Sequence, residues 1–256
     1  MRRAHYRYGP RRAQFGELTL PESTERLPPV VIVLHGGYWR GLYSYRLMRP
    51  LARQLAASGF AVWNVEYRRV GLGGAGGGWP ATFEDVAAAI DFLGTLETVD
   101  PSRLATCGHS AGGHLALWAA GRHRLAKGTP GARPDQALRG AVSLAGLPDL
   151  EHLGDFGLGH DAIDRLLGGT IEQVPERFHA ASPAALLPFG VPQLLTHGLD
   201  DSTIPPGMSE RYAKQASELG DEATYLPLPG VNHRQIIEVR HHAVDLVASY
   251  LEALLA

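Results

Sequence analysis

Leu104-Ala105-Thr106-Cys107-Gly108-His109-Ser110-Ala111-Gly112-Gly113-His114-Leu115-Ala116-Leu117-Trp118 changes character twice along its length. Leu104 to Cys107 is a short apolar run and reads as a buried strand, while Leu115, Leu117 and Trp118 begin a helical pattern. Between them, Gly108-His109-Ser110-Ala111-Gly112 fits G-x-S-x-G. A strand, a sharp turn and a helix in that order hold the serine in a strained bend. Its hydroxyl then projects above the strand ends, and the flanking glycines keep neighbouring side chains out of the crowded turn. Ser110 is the candidate nucleophile. With 31 Gly in 256 residues, the motif alone is modest evidence, and the flanking strand and helix patterns give it weight.

Working outward, the same alternation recurs. Val30 to Leu34 is a continuous β-branched run of the kind found in a parallel strand covered on both faces, and His35-Gly36-Gly37-Tyr38-Trp39 follows it directly. Leu47, Met48, Leu51, Leu55 and Ala56 have helical spacing, with Gly59 placed as a C′ glycine. Strands are expected at 61–65, 141–146, 192–196 and 223–228, helices at 81–96, 205–219 and 239–255, and an edge hairpin or strand within 6–20. Residues 147–190 are the least regular part, with short helices near 161–167 and 175–180. Strands alternating with helices predict an α/β fold in one domain over 1–256, a mainly parallel central sheet carrying helices on both faces.

The composition narrows the function classes. A net charge of −2 and a pI near 6.6 leave no bulk field for nucleic acid or an anionic membrane. The one cysteine, Cys107, rules out an internal disulfide and reads as a small buried apolar side chain. The basic N-terminus lacks the apolar core of a secretory signal, and no run nears the roughly 18 apolar residues of a membrane span. A cytoplasmic protein is the expectation, and a homodimer is compatible with the sequence.

A serine hydroxyl needs a neutral imidazole to take its proton, and the imidazole needs a carboxylate to hold its tautomer. Downstream of such an elbow the acid precedes the histidine. His197-Gly198-Leu199-Asp200-Asp201-Ser202-Thr203-Ile204-Pro205 offers two adjacent acids just past a strand, and Gly230-Val231-Asn232-His233 places a histidine between the last strand and the last helix. Only one of Asp200 and Asp201 can face the imidazole. His197, at a strand end before glycine, reads as packing and hydrogen-bonding locally and is not the base. Gly36-Gly37 lets the main chain approach a substrate closely, so the Gly37 and Tyr38 amides, with that of Ala111, are the expected oxyanion donors. Tyr38, Trp39 and His109 are candidates to line the pocket, although Trp39 reads equally well as core packing.

The sequence resembles α/β-hydrolases of the group holding hormone-sensitive-lipase-like esterases, prolyl-oligopeptidase-like hydrolases and kynurenine formamidases. The matching pieces are His35-Gly36-Gly37-Tyr38-Trp39, Glu66-Tyr67-Arg68, Gly108 to Gly113, Ala181-Ser182-Pro183, the His197 to Pro205 segment and His233. The H-G-x-x-D spacing of that group selects Asp201 over Asp200, which makes the implied triad Ser110, Asp201 and His233. The resemblance also implies a short lid over 147–190, no metal or organic cofactor, and a small-molecule ester or amide as substrate. Tyr38-Trp39 replaces the third glycine usual in lipase-like esterases and is similar to the loop of kynurenine formamidases. An amidase of the arylformamidase type is therefore the alternative to a carboxylic esterase, ahead of a small peptidase.

Other readings are weaker. Gly71-x-Gly73-x-x-Gly76, with Asp91 beyond it, matches a dinucleotide fingerprint in letters only, since Arg68-Arg69-Val70 intervene after the strand and Asp91 falls in a predicted helix. His109/His114 and His241-His242 lack acidic companions at metal-ligand spacing. A non-catalytic ligand-binding relative would be expected to lack a triad member, and here all three are present.

Overall fold

The computed structural model describes residues 1–22, 26–239 and 242–256. Its centre is the apolar run after Pro29, strand β3 (Val30–Leu34), all five residues of which are buried. Val30, Ile32 and Leu34 face one hydrophobic layer, and Val31 and Val33 face the other. A strand with both faces covered has no place for alternating polar residues.

Around it lie β1 (Arg2–Arg7), β2 (Phe15–Leu20), β4 (Ala61–Glu66), β5 (Leu104–His109), β6 (Gly140–Leu144), β7 (Gln193–Gly198) and β8 (Ala223–Leu228). The sheet order is β1-β2-β4-β3-β5-β6-β7-β8. The β1–β2 and β2–β4 pairs are antiparallel, and every other pair is parallel. The α/β expectation thus holds, with a mostly parallel sheet of the α/β-hydrolase kind. One element was less legible: the basic N-terminal run is itself the edge strand β1, its arginines largely exposed.

Helices cover both faces. On one side, α1 (Arg49–Ala57) and α7 (His242–Leu255) pack Leu51, Leu55, Val247 and Leu251 against Val31, Val33 and Cys107. Burial pushes the Cys107 thiol up to about 12, so it behaves as a small apolar group. On the other side, α2 (Ala81–Asp91), α3 (Ala111–Gly121) and α6 (Gly207–Glu218) share one core with the segment between β6 and β7. The predicted helix 81–96 ends earlier, at Asp91, and continues as a 3-10 turn. The start of the last helix at 239–241 lies partly outside the described residues.

Every residue of α3 is buried, as suits a helix that is apolar all round and enclosed on every side. One side meets the sheet. The other meets the segment 147–190, which carries α4 (Asp161–Leu167) and α5 (Pro175–Ala181). His114 Nε2–H donates to the Ala181 carbonyl at 2.8 Å and Trp118 Nε1–H to the Ala180 carbonyl at 3.0 Å, which ties α5 to α3. Desolvation holds the His114 pKa down at about 4, so the ring is neutral at ordinary pH. Among the described residues, no helix is long and apolar enough to cross a membrane.

Candidate active site

Parallel strands present their C-terminal ends along one edge of the sheet, and the four chemistry-bearing loops all leave from that edge. β3 feeds His35 to Trp39, β5 feeds Ser110, β7 feeds Asp201, and β8 feeds His233.

Ser110 adopts φ 56 and ψ −121, a left-handed turn that costs a non-glycine residue of order 1–3 kcal/mol and persists only where its surroundings impose it. The surroundings are crowded. A Cβ on Gly108 would lie 2.0 Å from the Gly112 carbonyl oxygen, and one on Gly112 would lie 2.1 Å from that of Leu34. The glycines of the motif therefore let the first turn of α3 sit directly on the end of β3. The Ser110 N–H donates to the Leu144 carbonyl at 2.9 Å, which fixes the bend against β6. Ala111 opens the helix, where backbone N–H groups lack an intrahelical partner.

Facing the elbow, a Cβ on Gly36 would fall 2.7 Å from the His109 carbonyl oxygen and 3.1 Å from Ser110 Cβ. Gly37 takes φ 117, and Tyr38 and Trp39 take φ 55 and 54. Two successive left-handed side-chain-bearing residues are costly, roughly 1–2 kcal/mol each. The Arg40 N–H to Gly37 carbonyl bond (2.9 Å) and the Val70 N–H to Trp39 carbonyl bond (2.7 Å) hold them. Among the described residues, neither the Gly37 nor the Tyr38 N–H donates to the backbone, so both remain for a ligand.

A buried carboxylate underpins this loop. Glu66 Oε1 accepts the Tyr67 N–H at 3.0 Å and lies 3.2 Å from His35 Nε2 and 3.1 Å from Arg69 Nη2. Tyr67 stacks on His35 with centroids 4.3 Å apart and donates its hydroxyl to the His35 carbonyl at 2.6 Å. Arg68 is clamped by the fully buried Asp85, with Nη2 to Oδ1 at 2.6 Å. Glu66-Tyr67-Arg68 is thus a brace for the His35–Trp39 loop. Asp85 was invisible as its partner because the two lie on different elements.

His233 Nδ1–H donates to Asp201 Oδ2 at 2.6 Å, the carboxylate being wholly buried and the ring nearly so. That bond puts the proton on Nδ1 and leaves Nε2 with a lone pair to accept one. Asp201 Oδ1 accepts the Thr203 and Ile204 N–H groups at 2.8 and 2.9 Å. Burial alone would raise its pKa. Hydrogen bonds from His197, His233 and the Ile204 amide more than offset that and hold the carboxyl well below the usual range. Asp200 is exposed, and Asp201, the residue the H-G-x-x-D spacing selects, is the one whose carboxylate meets His233.

His197 packs and hydrogen-bonds locally, as expected, and one of its partners is the Asp201 carboxylate. Its Nε2–H faces two acceptors, Asp201 Oδ2 at 3.2 Å and the Ile204 carbonyl at 3.0 Å, while Nδ1 accepts from the Ser209 hydroxyl at 2.8 Å. The same carboxylate oxygen therefore takes hydrogen bonds from two imidazoles. The available signal was the i,i+4 spacing to Asp201.

Two of the pocket candidates from sequence, Trp39 and His109, lie in the interior. Trp39 is 1% exposed and packs edge-on against His114 with centroids 5.2 Å apart, so it belongs to the core. His109 is also buried. Its Nε2–H donates to the His233 carbonyl at 2.8 Å and its ring lies 4.7 Å from that of His233. Desolvation, with the neighbouring His233, lowers its pKa to about 3. His109 therefore anchors the histidine loop to the elbow. Tyr38 alone of the three stays at the mouth, 41% exposed.

The Ser110–His233 hydrogen bond is not among those of the described residues; such bonds commonly tighten only with substrate in place. No group of three or more metal-ligating side chains occurs among the described residues, and His241 lies outside them.

The profile of the BD-FAE family matches residues 17–215. The chain belongs to the BD-FAE family. With the sheet order above, this places it in the α/β-hydrolase superfamily. Among curated relatives of this BD-FAE member, a probable isoprenylcysteine alpha-carbonyl methylesterase from Oryza sativa subsp. japonica is 27% identical over 86% of this chain and 55% of the relative. A probable carboxylic ester hydrolase, LipM, from Mycobacterium tuberculosis is 26% identical over 80% of this chain and 49% of the relative. The chain thus spans about half the length of the curated relatives it matches. A truncated carbohydrate esterase from gut microbiota superposes with a TM-score of 0.83 at 19% identity, covering 98% of this chain and 96% of that one. An esterase from Thermogutta terrifontis in a butyrate-bound form superposes with a TM-score of 0.79 at 19% identity, covering 99% and 95%. These two likenesses establish the shared fold.

Proposed function

We propose that the protein is a serine hydrolase of carboxylic esters, with Ser110 as nucleophile, His233 as general base and acid, and Asp201 as the group that orients His233. The observation that carries this is the 2.6 Å Asp201–His233 bond beside a serine forced to φ 56 at a strand–helix elbow. Ser110 Oγ attacks the acyl carbon while its proton passes to His233 Nε2. The carbonyl oxygen, now an anion, takes the amides of Gly37, Tyr38 and Ala111. Collapse expels the alcohol, protonated by His233. Water, deprotonated by the same nitrogen, attacks the acyl-enzyme and releases the carboxylic acid, restoring the serine.

No metal or organic cofactor enters this sequence of steps. Residues 147–190, packed on α3, form the wall or short lid beside the site, and a small or aromatic ester is the substrate class. The names of the curated relatives support ester over formamide. The arylformamidase reading rested on Tyr38-Trp39, and the burial of Trp39 removes one of those two side chains from contact with substrate.

Steady-state hydrolysis of 4-nitrophenyl acetate and butyrate beside N-formylkynurenine, with wild type and Ser110→Ala, tests the reading. Aryl esters should show much the higher kcat/KM, and the alanine variant should lose it. A higher kcat/KM for the formamide would replace the esterase assignment, and an alanine variant as active as wild type would remove Ser110 as nucleophile.

A further inference from the structure

The glycine-rich loop after β4 has a structural reason that leaves one residue unexplained. A Cβ on Gly74 would lie 2.0 Å from the Arg69 carbonyl oxygen, and one on Gly77 would lie 2.2 Å from the Arg69 nitrogen. The Gly77 N–H donates to the Arg69 carbonyl at 2.8 Å, and Gly71, Gly73, Gly76 and Gly78 all take positive φ. The loop is thus wound tightly around the Arg69 backbone, which accounts for its glycines without any nucleotide. From 71 to 78 the chain carries only Gly and Ala apart from Leu72, and Leu72 is 100% exposed.

A second leucine stands beside it. The loop around Gly41 packs backbone to backbone on the glycine loop: the Gly41 N–H donates to the Val70 carbonyl at 3.0 Å, and a Cβ on Gly41 would lie 2.3 Å from the Leu72 carbonyl oxygen. Leu42, next in sequence, is 87% exposed. Tyr43, against Gly37, and Tyr38, with Arg40 over its ring, continue the exposed apolar surface to the mouth of the site. Single exposed leucines are ordinary, but a contiguous apolar patch asks for a partner.

The chemistry next to the patch names one. A groove of about 610 Å³ is lined by Arg12, Ser44, Arg46, Arg69, Gly73 and Ala75, with Glu66 its one acid. Glu66 is already engaged by Arg69, His35 and the Tyr67 amide. Among the described residues, Arg12 and Arg46 have no ion-pair or hydrogen-bond partner for their guanidinium groups. The groove is therefore basic, and two of the residues that line it, Gly73 and Ala75, belong to the loop that carries Leu72.

We propose that this face docks on an anionic phospholipid surface, with lipid phosphates in the Arg12–Arg46–Arg69 groove and Leu42 and Leu72 entering the acyl layer. The combination of protruding apolar tips and unpaired cations is what such a surface selects. A neutral surface would leave the arginines unmatched. A second copy of the chain docked isologously would bring Arg12 and Arg46 against their own symmetry mates. The docked face adjoins Tyr38, so the site mouth would open at the lipid. This local patch coexists with the net charge of −2, which describes only the far field. The proposal is independent of Ser110 being a nucleophile.

The test is co-sedimentation of the full chain with vesicles of phosphatidylcholine alone and of phosphatidylcholine mixed with phosphatidylglycerol. Parallel arms contain inorganic phosphate, and wild type is compared with Leu42→Asp/Leu72→Asp and Arg12→Gln/Arg46→Gln. Both pairs change exposed side chains, and an unchanged Tm confirms folding. The expected result is binding to the anionic vesicles only. Loss of each arginine should weaken partitioning about fivefold, and the double aspartate variant should not bind. Equal binding to neutral vesicles, wild-type binding by either variant, or no binding at all would overturn the proposal. Phosphate protecting the protein thermally without any vesicle binding would make the groove a free-anion site. A dimer in sedimentation velocity that Leu42→Asp/Leu72→Asp abolishes would assign the patch to self-association. Either result would also overturn the proposal.

Discussion

Replacing His197 with leucine tests whether the second imidazole on Asp201 holds the site together. The side chain is fully buried and makes three hydrogen bonds, to Asp201 Oδ2, the Ile204 carbonyl and the Ser209 hydroxyl. Leucine is close in volume, so the main effect is on the partners left behind. The bond to a charged acceptor is worth about 1.5–3 kcal/mol, and each orphaned buried polar group costs about 1–3 kcal/mol. Partial relaxation of Ser209 brings the sum to roughly 3–4 kcal/mol, a Tm decrease of about 6–16 °C for a chain of this size. Asp201 keeps His233 and two backbone amides, so the carboxylate persists but with fewer fixed donors.

On the reading of Asp201 as the orienting acid, kcat on 4-nitrophenyl acetate should fall by about 10–100-fold, the usual scale for a displaced supporting hydrogen bond, with KM little changed. The acid side supplies a readout that packing damage alone would not move. Asp201 is depressed below its unfolded value, so its contribution to stability is complete above about pH 4 and is lost as pH falls through the lower, folded value. Removing one donor raises the folded value and shortens that window. The acid-unfolding midpoint should then shift to higher pH beyond what the loss of stability at pH 7 accounts for. Ser209→Ala, which removes only the donor to Nδ1, should show a small Tm loss and near-normal kcat. A His197→Leu enzyme within threefold of wild type in kcat, with an unshifted acid midpoint, would refute the role assigned to His197.

Ser110→Gly should raise Tm by about 2–4 °C over Ser110→Ala, because glycine accepts φ 56 without the strain alanine retains. Equal melting temperatures in calorimetry would mean that the elbow stores no strain. Gly37→Ala places a methyl 2.4 Å from the Tyr43 ring at φ 117, which should tilt the amides of Gly37 and Tyr38 and lower kcat by about 10²–10³. A loss under tenfold at saturating 4-nitrophenyl acetate would exclude that loop as the oxyanion hole.

The parts of the site legible in the sequence are those whose geometry is local. Ser110 is readable because strand, bend and helix follow one another within a few residues and the glycines that permit the contact are in the motif. Asp201 and His233 are readable once the order of loops along a parallel sheet is known, since each strand end delivers its loop to the same edge. What joins these loops is not local. His109 reaches the carbonyl of His233, 124 positions away in the chain, and Arg68 reaches Asp85 on another face of another element. Spacing carries no record of such pairs, so neither the His109–His233 contact nor the Arg68–Asp85 contact was legible.

Trp39 shows a different limit. From a strand end followed by two glycines, alternation would turn Tyr38 and Trp39 to opposite sides without saying which is inward. Here both take left-handed φ, a conformation in which alternation no longer applies. The direction is set by the turn that closes on Val70 and Gly37 through backbone bonds. That turn exists because the Arg69 loop stands beside it, braced by Glu66. Which of the two aromatic side chains turns inward is therefore decided by a carboxylate and a glycine loop roughly thirty residues downstream, through contacts that only the folded chain creates.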